Sequence, residues 1–276
     1  MQPPDPLARL VRGLDLEEIR ADVFRARTGA GTERLFGGLL LAQTVIAAGR
    51  TVEGGRHLHS LHASFLRPGR SRVPLELVVE RLRDGRSFSA RRITGTQSRD
   101  VTIVATASFT TPSEGIAHQD PMPEAPVPEG LPDWEDLRAA ALGTARRSDV
   151  AIELRVCDAD PKERGERLQA YRRVWIRPRG ELPDDPLLHA ALFVFSTDRT
   201  LLRVAARPHG AIWSVRHAAS LDHAVWLHDV HRFDDWVLYV CDSPVAVAGR
   251  ALAFGAMYAR DRRRILSVAQ EGLLRF

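Results

Sequence analysis

The sequence is short of cysteine, of long apolar runs and of the common nucleotide and nucleophile signatures. Cys157 and Cys241 are the only two thiols in 276 residues, too few for a disulfide framework or a four-thiolate metal site; both read as small buried hydrophobes. No stretch approaches the about eighteen uninterrupted apolar residues of a membrane helix. Met1-Gln2-Pro3-Pro4-Asp5-Pro6 has neither the basic start nor the apolar run of a secretory signal. These absences point to a soluble, cytoplasmic protein with no membrane partner. No Gly-x-Ser-x-Gly elbow raises Ser60, Ser64 or Ser89 into a nucleophile. The glycines from Gly29 to Gly38 lack both the spacing and the Lys-Ser/Thr ending of a phosphate loop. His57, His59 and His62, like His217, His223, His228 and His231, lack carboxylate or thiol neighbours at ligand spacing, so no metal is expected.

Charge is present without being concentrated. The formal net charge of +4 suits an anionic ligand such as a nucleotide phosphate. The arginines are spread along the chain, and no helix-turn-helix, zinc-finger or aromatic RNA-binding signature accompanies them, which argues against nucleic acid.

The chain then divides. Residues 111–133 contain six prolines, which deny the segment regular helix or central strand. The expected organisation is a unit over 1–111, a proline-rich linker over 112–133, and a second unit over 134–276 carrying the catalytic residues. In the first unit, Phe36-Gly37-Gly38 precedes an apolar stretch, 39–48, that suits a helix buried on most faces. Strand-like alternation follows over 58–66, 75–82, 87–97 and 101–110. The second unit repeats the pattern. Strands are expected at 152–157 and 173–177, and a helix opens at Asp184-Asp185-Pro186 and runs over 187–195. Further strands fall at 220–228, 236–241, 250–258 and 265–274. Ser60 lies 160 positions before Ser220, and Ile103 lies 162 before Ile265. This register pairs Gln270 with Ser108. A long apolar helix against a curved antiparallel sheet buries a helix with almost no polar face, so the fold class is α+β, helix plus antiparallel sheet, in two copies.

Several motifs in this order carry a resemblance. They are Leu35-Phe36-Gly37-Gly38 with Ala42-Gln43, His59-Ser60-Leu61-His62 with Phe65-Leu66-Arg67-Pro68-Gly69, and Leu82-Arg83-Asp84-Gly85-Arg86-Ser87-Phe88-Ser89-Ala90-Arg91-Arg92. The second half adds Ser196-Thr197-Asp198, Arg207-Pro208-His209-Gly210, Ala219-Ser220-Leu221-Asp222-His223 and Val268-Ala269-Gln270-Glu271-Gly272. Over nearly its whole length the chain resembles the bacterial acyl-CoA thioesterase II (TesB-type) family. The resemblance implies a double hotdog, one continuous curved sheet around two central helices, and hydrolysis of acyl-CoA to free acid and CoA. It also implies that Asp198, Ser220 and Gln270 hold the attacking water. Ser220 stands where the family pattern has threonine. Asp261-Arg262-Arg263-Arg264 departs from the family's Asp-Gly turn.

The chemistry is self-consistent. A thioester carbonyl is electrophilic and its thiolate leaves readily, so a positioned water and one general base suffice, with no cofactor. Gly38 and Leu39, opening the first helix, are candidate amide donors for the developing oxyanion. On the residues alone, Asp198 before Arg199 reads rather as a helix-terminal carboxylate in an ion pair. Gln270, polar in an apolar run, needs partners. Asp222 and His223 point to opposite faces of a strand and cannot pair. A non-catalytic acyl-CoA-binding protein is the alternative, and an enoyl-CoA hydratase a more distant one. Exposed sheet edges suggest a homo-oligomer.

Overall fold

The computed structural model describes residues 5–29, 34–158, 166–210 and 215–275. The first half runs α1 (Pro6–Leu14), β1 (Glu17–Arg20), β2 (Val23–Ala26), α2 (Gly37–Gly49), β3 (His57–Phe65), β4 (Leu75–Asp84), β5 (Phe88–Gln97) and β6 (Asp100–Thr110). The second runs α3 (Trp134–Leu142), β7 (Ile152–Val156), β8 (Tyr171–Pro178), α4 (Pro186–Thr197), β9 (His217–Ser220), β10 (Asp222–Leu227), β11 (Val237–Val247), β12 (Arg250–Ala259) and β13 (Arg264–Arg275). Among the described residues no helix is long and apolar enough to cross a membrane.

Two of these helices are core elements and explain the rest. In α2 every residue from Leu40 to Ala48 is buried. Its two polar side chains bond backbone carbonyls: Gln43 Nε2 donates to those of Gly13 and Arg27, and Thr44 Oγ1 to that of Leu40. α4 is capped by Asp185, whose carboxylate accepts from the amides of Leu187 and Leu188, with Pro186 opening the helix, as helix-start chemistry requires. The helices pack antiparallel. Gly49 at the end of α2 meets the Leu187 side chain, and Gly38 at the start of α2 meets the Phe195 carbonyl near the end of α4.

All described strands join one antiparallel sheet in the order β1-β2-β4-β5-β6-β3-β10-β13-β12-β11-β8-β7, with β9 against β13. The halves meet at a single strand pair, β3 with β10, in which His62 faces Ala224. The sheet wraps the α2/α4 pair, the α+β double-hotdog arrangement expected. The expected strand over 220–228 is interrupted at Leu221, and α1, α3 and the 3-10 stretch Leu201–His209 were not legible as helices.

The described linker residues carry one short 3-10 turn, Pro128–Gly130, and otherwise neither helix nor strand. Met122 packs with Trp175, Trp236 and Tyr258, and Trp175 Nε1 donates to the Pro126 carbonyl. These side chains alternate with the core-facing Val174, Val237 and Met257, so the segment covers the outer face of the second half. It also holds the turn that departs from the Asp-Gly pattern. Arg262 there has φ of 71°, and Gln119 bonds the carbonyl of Arg262 and the amide of Arg264.

Arg91 and Arg172 are the largest fully buried side chains among the described residues, and Arg91 sits in the first half. It donates to Thr51 Oγ1, the Thr51 and Arg83 carbonyls, and Asp84 Oδ1 at 2.7–3.0 Å, tying the turn after α2 to β4. Arg91→Met keeps the volume and strands the two carbonyls. A loss of about 3 kcal/mol is expected, read as a lower urea midpoint at unchanged m-value.

Candidate active site

Asp198 ends α4, and its carboxylate lies against the amide end of α2: Gly38 N–H donates to Oδ2 at 2.8 Å. The carboxylate thus sits at the negative end of its own helix and the positive end of the other. Oδ1 accepts from Gln270 Nε2 at 3.0 Å and from Ser220 Oγ at 3.3 Å. Gln270 Nε2 also donates to Ser220 Oγ at 2.6 Å. The three residues singled out from sequence are therefore brought together, from α4, the end of β9 and the middle of β13.

Position along β13 explains Gln270. It is 1% exposed, on the face that meets the helices, and Oε1 has no partner among the described residues. Ser220 is placed by the break at Leu221, where Leu221 N–H bonds the Glu271 carbonyl and the Asp222 carboxylate accepts from Glu271 N–H. Glycine is needed beside the carboxylate, since a Cβ at Gly37 would lie 2.7 Å from Asp198 Oδ2 and 3.3 Å from the Phe65 ring.

Burial pushes the Asp198 carboxyl up to about 6, against the opposing pull of the Gln270, Gly38 and Ser220 donors. A carboxyl that titrates close to neutrality yet stays mostly ionised at pH 7 is suited to taking and returning a proton. Arg199 does not pair with it; its guanidinium lies 3.6 Å from Glu135 instead.

Both expected oxyanion donors are engaged. Gly38 N–H holds Asp198, and Leu39 N–H donates to the Phe36 carbonyl at 3.0 Å. Gly37 N–H, one residue earlier, has no partner among the described residues. Sequence reasoning missed it because Gly37 and Gly38 are indistinguishable until the carboxylate is placed. His223 is buried and points inward, opposite to the exposed Asp222. Its Nε2 lies 2.8 Å from Thr197 Oγ1, and burial depresses it to about 3, so it is a neutral core imidazole. Among the described residues no three His, Cys, Asp or Glu side chains converge as a metal site. The Cys157 and Cys241 thiols are pushed up by burial to about 11 and about 12; Cys157 is only partly buried.

The equivalent position in the other half is apolar. Strand pairing maps Leu61 and Ala63 onto His223 and Val225, and their neighbours Ala107 and Ala105 onto Gln270 and Val268. Gln270 thus corresponds to Ala107. The register pairing it with Ser108 was one residue off, and in a strand one residue changes the face: Ser108 points outward to His59 Nε2 at 2.7 Å. Leu58 stands for Ser220 by the same pairing. At the second helix crossing, Gly49 and Leu187 stand where Asp198 and Gly38 stand at the first.

Comparison with known proteins agrees over the whole chain. The acyl-CoA thioesterase family model matches residues 147–273, and the model for the acyl-CoA thioesterase N-terminal domain matches 24–110. Acyl-CoA thioesterase 2 of Haemophilus influenzae is 32% identical, with 99% of each chain covered. The chain belongs to the acyl-CoA thioesterase family. Mouse acyl-coenzyme A thioesterase 8 is 34% identical over 95% of this chain and 87% of that relative. The structure of the acyl-CoA thioesterase II TesB2 of Mycobacterium marinum superposes with a TM-score of 0.81 at 35% identity, covering 97% of both chains. These thioesterase relatives extend across both halves and the segment between them.

Proposed function

We propose that this chain hydrolyses acyl-CoA to the free acid and CoA, with Asp198 as general base and Ser220 and Gln270 positioning the water. The observation that carries the reading is the Asp198 carboxylate, buried, raised to about 6 and gripped by three donors from both halves. Water transfers one proton to Asp198 and keeps the other, which it donates as a hydrogen bond to the unpartnered Gln270 Oε1. Its oxygen adds to the thioester carbonyl carbon. The oxyanion is met by the Gly37 amide. Collapse breaks the C–S bond, and Asp198 returns its proton to the departing thiolate.

Thiol release from a panel of acyl-CoAs tests the activity; tight binding or hydration without thiol release would count against it. The kcat/KM profile is expected to fall below an apparent pKa of about 6, because protonation of Asp198 removes the base. A profile flat down to pH 4.5 contradicts that assignment. Ser220→Ala removes the long bond to Asp198 and the acceptor of Gln270 Nε2, and should lower kcat about tenfold. Ser220→Thr keeps the hydroxyl on a stiffer side chain and should retain most of the turnover.

One site per chain follows from the apolar second crossing. Assembly into a homo-oligomer is a further part of the proposal, resting on the open sheet edges β1 and β7.

A further inference from the structure

The first half carries a cleft of about 430 Å³ lined by Arg34, Arg67, Arg70, Gln97, Asp100 and Thr102, among others. Its charge is one-sided. Asp100 is its one carboxylate, 3.7 Å from Arg67, and both are largely exposed. Arg34 and Arg70 have no carboxylate partner among the described residues. A neighbouring cleft of about 460 Å³ also carries arginines, but Asp15 and Glu17 line it with them and pair with Arg50 and Arg25.

The arginine cleft is built rather than incidental. Gln97 is 1% exposed. It accepts from Arg70 N–H at 2.7 Å and donates to the Arg70 and Val73 carbonyls at 2.8 and 2.6 Å. Leu35 N–H bonds the Gly69 carbonyl at 2.8 Å, and Arg34 and Arg70 form an antiparallel bridge. Two arginine-bearing segments are thereby fixed side by side, which lowers the cost of ordering guanidiniums around an anion.

Its position ties it to the thioester. Arg34 precedes Gly38, whose amide holds Asp198, by four residues, a reach of at most about 14 Å. Arg67 follows Phe65, whose ring packs at Gly37. Arg34 Nη1 also lies 3.2 Å from His217 Nδ1 at the start of β9, the strand that ends on Ser220.

We propose that this cleft binds the phosphorylated nucleotide end of the CoA thioester, its guanidiniums meeting phosphate oxygens while the pantetheine arm spans to Asp198. The proposal rests on the thioesterase reading for the substrate. Its site is tested independently of turnover. Adenosine 3′,5′-bisphosphate is titrated calorimetrically into the wild-type chain and into an Arg67→Ala/Arg70→Ala variant checked for folding by thermal melting. The wild type should bind, more weakly as salt screens exposed charge, and the variant should bind about tenfold or more weakly. In turnover, the KM for an acyl-CoA should rise by a similar factor relative to the KM for the same acyl group on pantetheine, which has no phosphate. No binding to the wild type, equal binding by both proteins, or equal KM shifts for both thioesters would overturn the cleft assignment. Bisphosphate binding lost in the variant, without thiol release from either thioester, would leave the nucleotide site standing and sink the thioesterase reading.

Discussion

Asp198→Asn is expected to lower kcat on a fatty acyl-CoA about a thousandfold while leaving the chain folded and more stable above pH 6. The loss of rate follows from the chemistry: an amide cannot accept the water proton, although it keeps the size of the side chain. The gain in stability follows from the sign of the shift. Burial raises the carboxyl from 3.8 to about 6, so between those values the folded chain binds more protons than the unfolded one. Stability therefore falls as pH rises through that window and is level above it, a cost of about 3 kcal/mol at pH 7. Asparagine has no charge to desolvate, but it cannot accept from both Gly38 and Gln270 without a clash, which returns about 1 kcal/mol. The melting-temperature gap in favour of the variant should open between pH 4 and 6.5 and then hold. Full retained turnover removes Asp198 as the base. A variant less stable than the wild type at pH 7.5 shows that the carboxylate is not held against its solvation.

Gln270→Glu should shift the pH dependence most. It would put a second carboxylate where Nε2 now lies 3.0 Å from Asp198 Oδ1. Two carboxylates at that distance share a proton, and their ionisations split into one low and one high apparent value belonging to the pair. The base is then partly protonated at neutrality, and the donor that fixes it is gone. At pH 7 a drop of about a hundredfold in kcat/KM is expected, with the acid limb displaced upward by at least one pH step. A rate profile from pH 5 to 9 reads both. An unchanged limb near 6 would separate Gln270 from the titrating carboxylate.

The fold was legible where the hydrophobic pattern is strong. α2 and α4 announce themselves by apolar runs, Asp185-Pro186 marks the start of α4, and alternation marks the long strands. α1 and α3 were not, because each is only nine residues long and offers a short window to read a period from. The break at Leu221 was equally silent, being a tertiary device that turns Ser220 toward Asp198. For the site, Gln270 stood out as a polar residue in a buried run, whereas Asp198 on its own looked like an ion-pair partner of Arg199. Its coordination by Gly38 depends on two helix ends meeting from different halves, which no local pattern encodes. The same coordination removed Gly38 and Leu39 as free amides and left Gly37.

Among the described residues, the pair β3 with β10 is the one place where the first half's strands bond to those of the second. Asp198 and Gly38 come from opposite sides of that seam, so the proposed catalysis would report on the seam rather than on either half. A chain whose halves each keep their sheets but part along β3 and β10 retains nearly all its secondary structure and none of its chemistry. In such a molecule, loss of thiol release is the expected first sign of unfolding, ahead of any change in strand content.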